Sequence, residues 1–130
     1  MGIYPNHGVE YWIEIDKSFD NIKLKKIIEK IIIDTNFNMY VTPSNCISVL
    51  STSRTDDRLV NSNYFKERKD EWFNDQTCYR EWRDKINDQS LIDIEITQRE
   101  WSIINKIKKD VGDYITYEGW FDVNTIGYSY

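Results

Sequence analysis

Residues 92–121 read IDIEITQREWSIINKIKKDVGDYITYEGWF, and their pattern predicts a strand, a helix and a second strand in succession. In residues 92–96 isoleucine alternates with acidic residues, and a period of two with β-branched residues on one side is typical of a half-buried strand. Thr97 and Glu100 have the spacing of a capping box, which favours a helix start here. The inward side of this helix is predicted to carry Trp101, Ile104, Ile107 and Val111.

The end of the predicted helix is marked by Gly112, which we expect in a left-handed conformation. Lys106, Lys108 and Lys109 lie near that end, where the helix dipole favours cations. Residues 114–119 contain strand formers and predict the second strand.

The first half of the chain has a similar pattern. Residues 9–15 predict a strand, and residues 22–33 predict an amphipathic helix that Ser18 or Asp20 caps. Residues 37–42 and 46–50 predict two further strands that form a hairpin.

Because strand–helix–strand occurs in both halves, we expect an α+β fold with a mainly antiparallel sheet and two helices packed on one face. The economical arrangement is the ferredoxin-like split βαβ pattern with a helical insertion at about residues 51–90. The strand at residues 46–50 is one more than that pattern needs, so a β-meander with two unrelated helices is the alternative. The 130 residues suit a single domain over residues 1–130.

The insertion is the hardest part of the chain to interpret. Residues 51–62 are polar and predict a loop, and residues 63–88 predict two short helices, although residues 78–83 also alternate as a strand would. Aromatic and cationic side chains are interleaved in residues 64–83, as in proteins that bind single-stranded nucleic acid. Acidic residues cancel that charge, so helices with internal ion pairs over an aromatic core are the preferred interpretation.

Charge and composition narrow the functional classes. The formal charge of −5 disfavours binding to a phosphate backbone and favours a basic protein surface. No apolar run approaches the roughly 20 residues of a membrane span, and residues 1–8 lack the features of a secretory signal. We therefore expect a cytoplasmic protein in which Cys46 and Cys78 are reduced.

Motifs for catalysis and cofactor binding are missing from the sequence. His7 is the single histidine, and two distant cysteines add too few ligands for a zinc site. The five glycines are scattered and form no phosphate loop. Asp93 and Glu95, on one face of the predicted strand, form a carboxylate pair of the kind that supports hydrolysis or Mg²⁺ binding.

The aromatic and acidic stretch near the C-terminus is the strongest candidate for a contact surface. Tyrosine and tryptophan anchor protein interfaces because they bury a large area at low entropic cost, and acidic neighbours speed the encounter with a basic partner. The predicted partner-binding residues are Tyr117, Glu118, Trp120 and Asp122, followed by Asp56 and Asp57. The opposite interpretation is that the aromatic rings fill the core of the sheet.

These observations lead to a hypothesis and two alternatives. A short, acidic, aromatic-rich chain without catalytic motifs has the profile of immunity proteins that neutralise toxins and of phage inhibitors of bacterial defence. We therefore expect an inhibitor without a cofactor that occludes the basic surface of a partner such as a toxin or a defence nuclease. The first alternative is a small carboxylate-dependent enzyme or nucleotide-binding domain. The second is a homo-oligomer whose aromatic surface is its dimer contact.

Overall fold

The computed structural model describes the backbone of residues 2–74 and 82–129 and the side chains of residues 7–72 and 82–124. In these residues the protein is α+β, with a five-stranded antiparallel sheet and four α-helices. The strands are β1 (Gly2–Ile15), β2 (Tyr40–Val41), β3 (Cys46–Ser53), β4 (Trp82–Lys85) and β5 (Ile115–Ser129). The helices are α1 (Asn21–Thr35), α2 (Asp57–Val60), α3 (Asn63–Asn74) and α4 (Gln98–Val111).

The order of the strands in the sheet is β2-β3-β1-β5-β4. Strand β2 is antiparallel to β3, with Tyr40 opposite Ser48, which confirms the predicted hairpin in a shorter form. Strand β4 is antiparallel to β5, with Asp84 opposite Asp122. The predicted mainly antiparallel sheet is confirmed, whereas the pairing of β4 with β5 was not predicted.

The chain divides into two compact units. Unit 1 contains Met1–Glu10, Ser51–Glu95 and Trp120–Tyr130, and unit 2 contains Tyr11–Leu50 and Ile96–Gly119. Each unit is therefore assembled from separate segments of the sequence. The prediction of a single domain over residues 1–130 stays a prediction.

The helices of unit 2 begin where the sequence predicts. The Asp20 carboxylate accepts hydrogen bonds from the backbone amides of Ile22 and Lys23, which caps α1. Thr97 and Glu100 form the complete capping box of α4, at 3.2 Å and 2.9 Å. Each helix buries one apolar stripe, consisting of Leu24, Ile28 and Ile31 in α1 and of Ile103, Ile104, Ile107 and Val111 in α4.

A buried asparagine holds two loops of unit 2 together. Asn45 has a left-handed backbone with φ of 63°, which asparagine tolerates better than most residues. Its side-chain amide donates to the carbonyl oxygens of Asp16 at 3.1 Å and Phe19 at 2.7 Å. Its side-chain oxygen accepts from the amide of Asn21 at 2.7 Å. Asn45 therefore joins the turn before β3 to the segment that leads into α1.

Unit 1 has an aromatic core in which the single histidine is fully buried. The His7 ring stacks on Trp72 of α3 at 5.7 Å and lies tilted against Trp82 of β4 at 5.9 Å. Next to it, Gly8 of β1 lies so close to β3 that a Cβ atom would overlap the carbonyl oxygen of Thr52. The strand predicted at residues 9–15 is therefore longer than expected, because β1 begins at Gly2.

The predicted strand at residues 92–96 is wrong. Residues 92–96 are not in a strand, although Ile94 is buried and Asp93 and Glu95 are exposed. The alternation of isoleucine and acidic residues arises because one side of an extended segment is buried. An extended segment can be buried on one side without pairing with a neighbouring strand. The strand of this region is β4 instead, which contradicts the predicted second helix at residues 82–85 and matches the strand alternative. Residues 86–88 are not helical either, and the part of that predicted helix at residues 75–81, including Cys78, lies outside the described residues.

Smaller corrections concern a helix end, a helix face and a loop. Gly112 is right-handed, with φ of −53°, because the chain continues from α4 into a 3₁₀ turn. Trp101 is 43% exposed, and Glu100 takes the buried position because its carboxylate closes the capping box. The predicted loop at residues 51–62 contains the end of β3 and the short helix α2. Within the part of the chain that the structure describes, no helix has the length and apolarity to cross a membrane.

Candidate functional site

The predicted contact residues lie in both units. Tyr117 and Glu118 belong to the unit 2 part of β5, and Trp120 and Asp122 belong to the unit 1 part. Asp56 and Asp57 lie at the start of α2 in unit 1. Trp120 is only 6% exposed, and its backbone amide donates to the Gln89 side chain at 2.7 Å. Its ring therefore fills the core of unit 1, while the other five residues are half-buried or exposed.

Glu118 is held by two neighbours in unit 2. The Tyr11 hydroxyl donates to one carboxylate oxygen at 2.7 Å, and the Lys108 ammonium lies 2.8 Å from the other. Burial raises the pKa of Glu118, but the hydrogen bonds from Lys108 and Tyr11 outweigh this effect and lower the pKa below its ordinary value. The pKa of Tyr11 is raised, mainly by burial and then by the hydrogen bond to Glu118. The carboxylate of Glu118 is therefore ionised, and the ammonium of Lys108 balances its charge.

Asp122 also has two side-chain partners in unit 1, but its pKa is shifted in the opposite direction to that of Glu118. The Tyr64 hydroxyl donates to it at 2.5 Å, and Arg68, whose guanidinium lies over the Tyr64 ring, is 3.8 Å away. Burial raises the pKa of Asp122, and the charges of Glu71 and Asp84 raise it further against the effects of Tyr64 and Arg68. The ionised form of Asp122 is therefore disfavoured by its surroundings.

An open cleft of about 290 Å³ in unit 1 brings several predicted residues together. We call it the acidic cleft, and it is lined by Asp57, Arg58, Asn61, Ser62, Asp93 and Glu95. Asp57, a predicted partner-binding residue, thus lies beside the carboxylate pair that carried the enzyme alternative. Sequence analysis assigned them to different hypotheses because nothing in the sequence shows that positions 57 and 93 meet.

Two carboxylates are fixed by helix caps: Asp93, which lines the acidic cleft, and Asp56, the residue before Asp57. The Asp93 side chain accepts from the backbone amides of Asn63 at 2.8 Å and Tyr64 at 3.3 Å, at the start of α3. The hydrogen bond from Asn63 is the main reason why the pKa of Asp93 lies below its ordinary value. Asp56 accepts from the amide of Arg58 at 2.9 Å and caps α2. The three acids that line the cleft, Asp57, Asp93 and Glu95, are all exposed, and among them Asp93 is the one that caps α3.

Metal chemistry finds little support in these positions. Among the residues that the structure describes, no group of three or more histidine, cysteine, aspartate or glutamate side chains could hold a metal ion. A larger cleft of about 480 Å³ in unit 2 combines the carboxylates of Glu14 and Asp16 with the ammonium of Lys17 and the thiol of Cys46. Because opposite charges share this second cleft, it has no clear preference for an anion or a cation.

Charge is divided unequally between the units. Unit 1 contains eight basic and thirteen acidic residues, and unit 2 contains nine of each. The whole net charge of −5 therefore belongs to unit 1, the unit that contains the acidic cleft. This division is invisible in the sequence alone, because each unit is assembled from separate segments.

Comparisons with protein-family models, with curated proteins and with solved structures found no match to this chain.

Proposed function

We propose that this chain is a small cytoplasmic protein-binding module that inhibits a partner by covering a basic surface, as immunity proteins and phage anti-defence proteins do. The observation that carries the proposal is the location of the entire net charge of −5 in unit 1. A concentrated charge of one sign attracts a surface of the opposite sign and speeds productive encounters.

The acidic cleft gives the proposed contact its centre. Its volume of about 290 Å³ is enough for one basic side chain from the partner, and the exposed carboxylates of Asp57 and Glu95 lie at its wall. Asp56 and Asp93 cap helices beside it, so the walls are stiffened before a partner arrives. A stiff site loses less conformational entropy on binding than a loop does. Asp57 therefore takes the central place in the proposed contact, with Asp56 beside it in sequence, ahead of Tyr117, Glu118 and Asp122.

The test is an affinity purification from the native cellular setting with three forms of the protein. The cleft variant carries Asp57→Lys and Glu95→Lys, and the control variant carries Glu29→Lys and Asp34→Lys in unit 2, which is the same change in net charge. We expect the wild type and the control to recover a basic partner in stoichiometric amount. We expect the cleft variant to bind it at least about tenfold more weakly, a loss of roughly 1.4 kcal/mol.

Two results would contradict this proposal. The first is that the wild type recovers no stoichiometric partner at low salt. The second is that the cleft variant and the control lose the partner equally, because the effect would then follow net charge and not the acidic cleft. Circular dichroism of both variants checks that they remain folded.

A carboxylate-dependent enzyme or nucleotide-binding domain is the second candidate, since Asp57, Asp93 and Glu95 line one cleft. Its test is calorimetric titration with Mg²⁺, Mn²⁺ and nucleotides, compared between the wild type and a variant with Asp57→Asn and Glu95→Gln. Binding that disappears in this variant supports the second candidate. The variant spares Asp93, because the loss of that cap would disturb α3.

For the fold we propose the ferredoxin-like arrangement with β4 as an added edge strand. When β4 is set aside, the order β2-β3-β1-β5 is the order in which split βαβ units interleave, and α1 contacts α4 as paired helices on one face do. Nuclear Overhauser contacts between β1 and its two neighbours β3 and β5 test this proposal. Their absence would favour the meander alternative.

A further inference from the structure

The two long helices of unit 2 have a charge opposite to that of the chain as a whole. Helices α1 and α4 lie against each other, and Arg99 donates to the carbonyl oxygen of Thr35 at 2.9 Å. Together they contain eight basic and four acidic residues, a net charge of +4. The remainder of the chain therefore has a net charge of −9.

The charges at the two ends of α1 do not stabilise the helix. Lys23 lies in the first turn and Asp34 in the last, and no acidic residue occupies the first turn. The helix dipole favours the opposite arrangement, so each charge opposes it at a cost of about 0.3–1 kcal/mol. The lysines of α4 lie near its C-terminal end, where the dipole favours them. Lys23 lies over the Phe19 ring at 5.6 Å, whereas Lys26 and Lys30 lie in the middle of α1, where the dipole neither favours nor opposes them.

Two isoleucines accompany the lysines on the exposed side of α1. Ile22 is 67% exposed and Ile33 is 80% exposed, although other isoleucines of the same helix are buried. They are eleven positions apart, so at about 100° per residue they point within roughly 20° of each other and stand about 16 Å apart. Lys26 lies between them on the same side, directly opposite the buried stripe. We call Ile22, Lys26, Lys30 and Ile33 the outer face of α1; Glu29 is the acid beside it.

We propose that the outer face of α1 docks on the acidic cleft of a second copy of this chain. Charge complementarity supports this occupant, because the ammonium groups of Lys26 and Lys30 meet a cleft that is lined by three carboxylates and one guanidinium. Lys26 provides an ammonium for the carboxylates of Asp57 and Glu95, and the two isoleucines bury apolar surface on either side. Leu91, which is 52% exposed in unit 1, offers apolar surface on the receiving copy.

This self-association does not depend on the proposed function, because the charges and the exposed side chains that support it belong to this chain and require no external partner. If the proposed function also holds, the second copy and the basic partner compete for the same cleft. Self-association would then store the inhibitor in an inactive form that dilution or partner binding releases.

The test uses the purified full-length protein and measures its mass by sedimentation and light scattering. We expect the mass of the wild type to rise above the monomer mass of 15.7 kDa as its concentration increases from micromolar toward millimolar at low salt. We expect the monomer to return at high salt, because screening weakens contacts between charged surfaces.

Charge reversal on each side identifies the two surfaces. One variant carries Lys26→Glu and Lys30→Glu, and the other carries Asp57→Lys and Glu95→Lys. We expect each variant alone to associate at least about tenfold more weakly than the wild type. An equimolar mixture of the two should associate again, since each reversed surface then meets a complementary one. A third variant with Ile22→Ser and Ile33→Ser should remain folded and associate more weakly, because both side chains are exposed.

Three results would overturn the proposal. These are a wild type that stays monomeric at the highest concentration and low salt, a lysine variant that associates like the wild type, and a mixture that fails to associate. None of them involves the external partner, so they are separate from a failure of the proposed function. Circular dichroism identifies any variant that has lost its fold, and the remaining variants then decide the outcome.

Discussion

At the scale of single residues, two glycines illustrate how different the demands on the backbone can be. Gly8 lies where β1 and β3 approach each other, and a Cβ atom there would overlap the Thr52 carbonyl oxygen. Gly112 has a right-handed conformation, and apart from its chain neighbours and the backbone of its own helix no described atom lies within 4 Å of the place where its Cβ would be. The same substitution therefore has opposite consequences at the two positions.

We predict that Gly8→Ala destabilises the protein by about 3 kcal/mol or more, because backbone on both sides must move. Gly112→Ala is the matched control and should leave the stability unchanged or raise it by up to about 1 kcal/mol, since alanine restricts the unfolded chain. Urea unfolding followed by circular dichroism measures both. Equal effects of the two substitutions would contradict the close approach at Gly8.

Asn45 gives a second prediction at this scale. Asn45→Ala should lower the free energy of unfolding by about 2–4 kcal/mol, because it leaves the carbonyl oxygens of Asp16 and Phe19 without their donor and strains a left-handed backbone. Asn45→Gly removes the same hydrogen bonds but relieves the strain, and should therefore cost about 1 kcal/mol less than alanine. If Asn45→Ala lowers the free energy of unfolding no more than Asn45→Gly does, the left-handed backbone at position 45 does not limit which residue is tolerated there.

At the scale of elements, helices were easier to predict than strands. The start of α1 at Asp20 and the capping box of α4 follow from side chains close in sequence, so local chemistry was sufficient. The wrong strand at residues 92–96 and the unexpected strand β4 have a different origin. Period-two alternation records burial, whereas a strand also needs a neighbouring chain, and that neighbour is remote in sequence.

The candidate site could be predicted only in part from the sequence, for the same reason. The acidic residues of β5 and α2 could be proposed from composition, but Tyr64 is 58 positions from Asp122 and Asn63 is 30 positions from Asp93. A single sequence contains no signal for such distant pairs. Asn45 could have been suspected, because asparagine after Pro43 and Ser44 is typical of turns that need a left-handed residue.

Two acids of β5 should respond oppositely to pH. The pKa of Glu118 is lowered in the folded state, so its ionised form contributes stability above its ordinary value of 4.5, and this contribution is lost as the pH falls. The pKa of Asp122 is raised above its ordinary value of 3.8, so its ionised form costs stability that is recovered as the pH falls through the raised pKa.

We therefore predict that Glu118→Gln destabilises the protein at neutral pH by roughly 0.5–1 kcal/mol, a value kept small by solvent screening, and has little effect in acid. Asp122→Asn should leave stability at neutral pH within about 1 kcal/mol of the wild type or raise it, because asparagine can still accept from Tyr64. Urea unfolding between about pH 3 and pH 8 measures both. Parallel pH profiles for the two variants would show that the assigned causes are wrong.

At the scale of the whole molecule, the dominant feature is the separation of charge. Unit 1 has a net charge of −5 and unit 2 has none, although the two helices of unit 2 carry +4. Like charges in one compact unit repel each other, and salt screens that repulsion over a distance of about 10 Å at 0.1 M. The stability of the protein should therefore depend on salt through unit 1.

We predict that moderate salt raises the urea midpoint of the wild type. Glu67→Lys with Asp70→Lys in α3 takes the net charge from −5 to −1 and should remove most of this increase. Glu29→Lys with Asp34→Lys produces the same net charge through unit 2 and should preserve the increase. An equal loss in both variants would mean that only the total charge matters.

The passage of the chain between the units has a consequence for biosynthesis. The segments alternate from unit 1 to unit 2, back to unit 1, again to unit 2 and finally to unit 1. A ribosome that has reached residue 95 has completed neither unit: one still lacks α4, and the other still lacks the part of β5 that pairs with β4. The nascent protein must therefore postpone folding of both units until nearly all of these residues have left the exit tunnel.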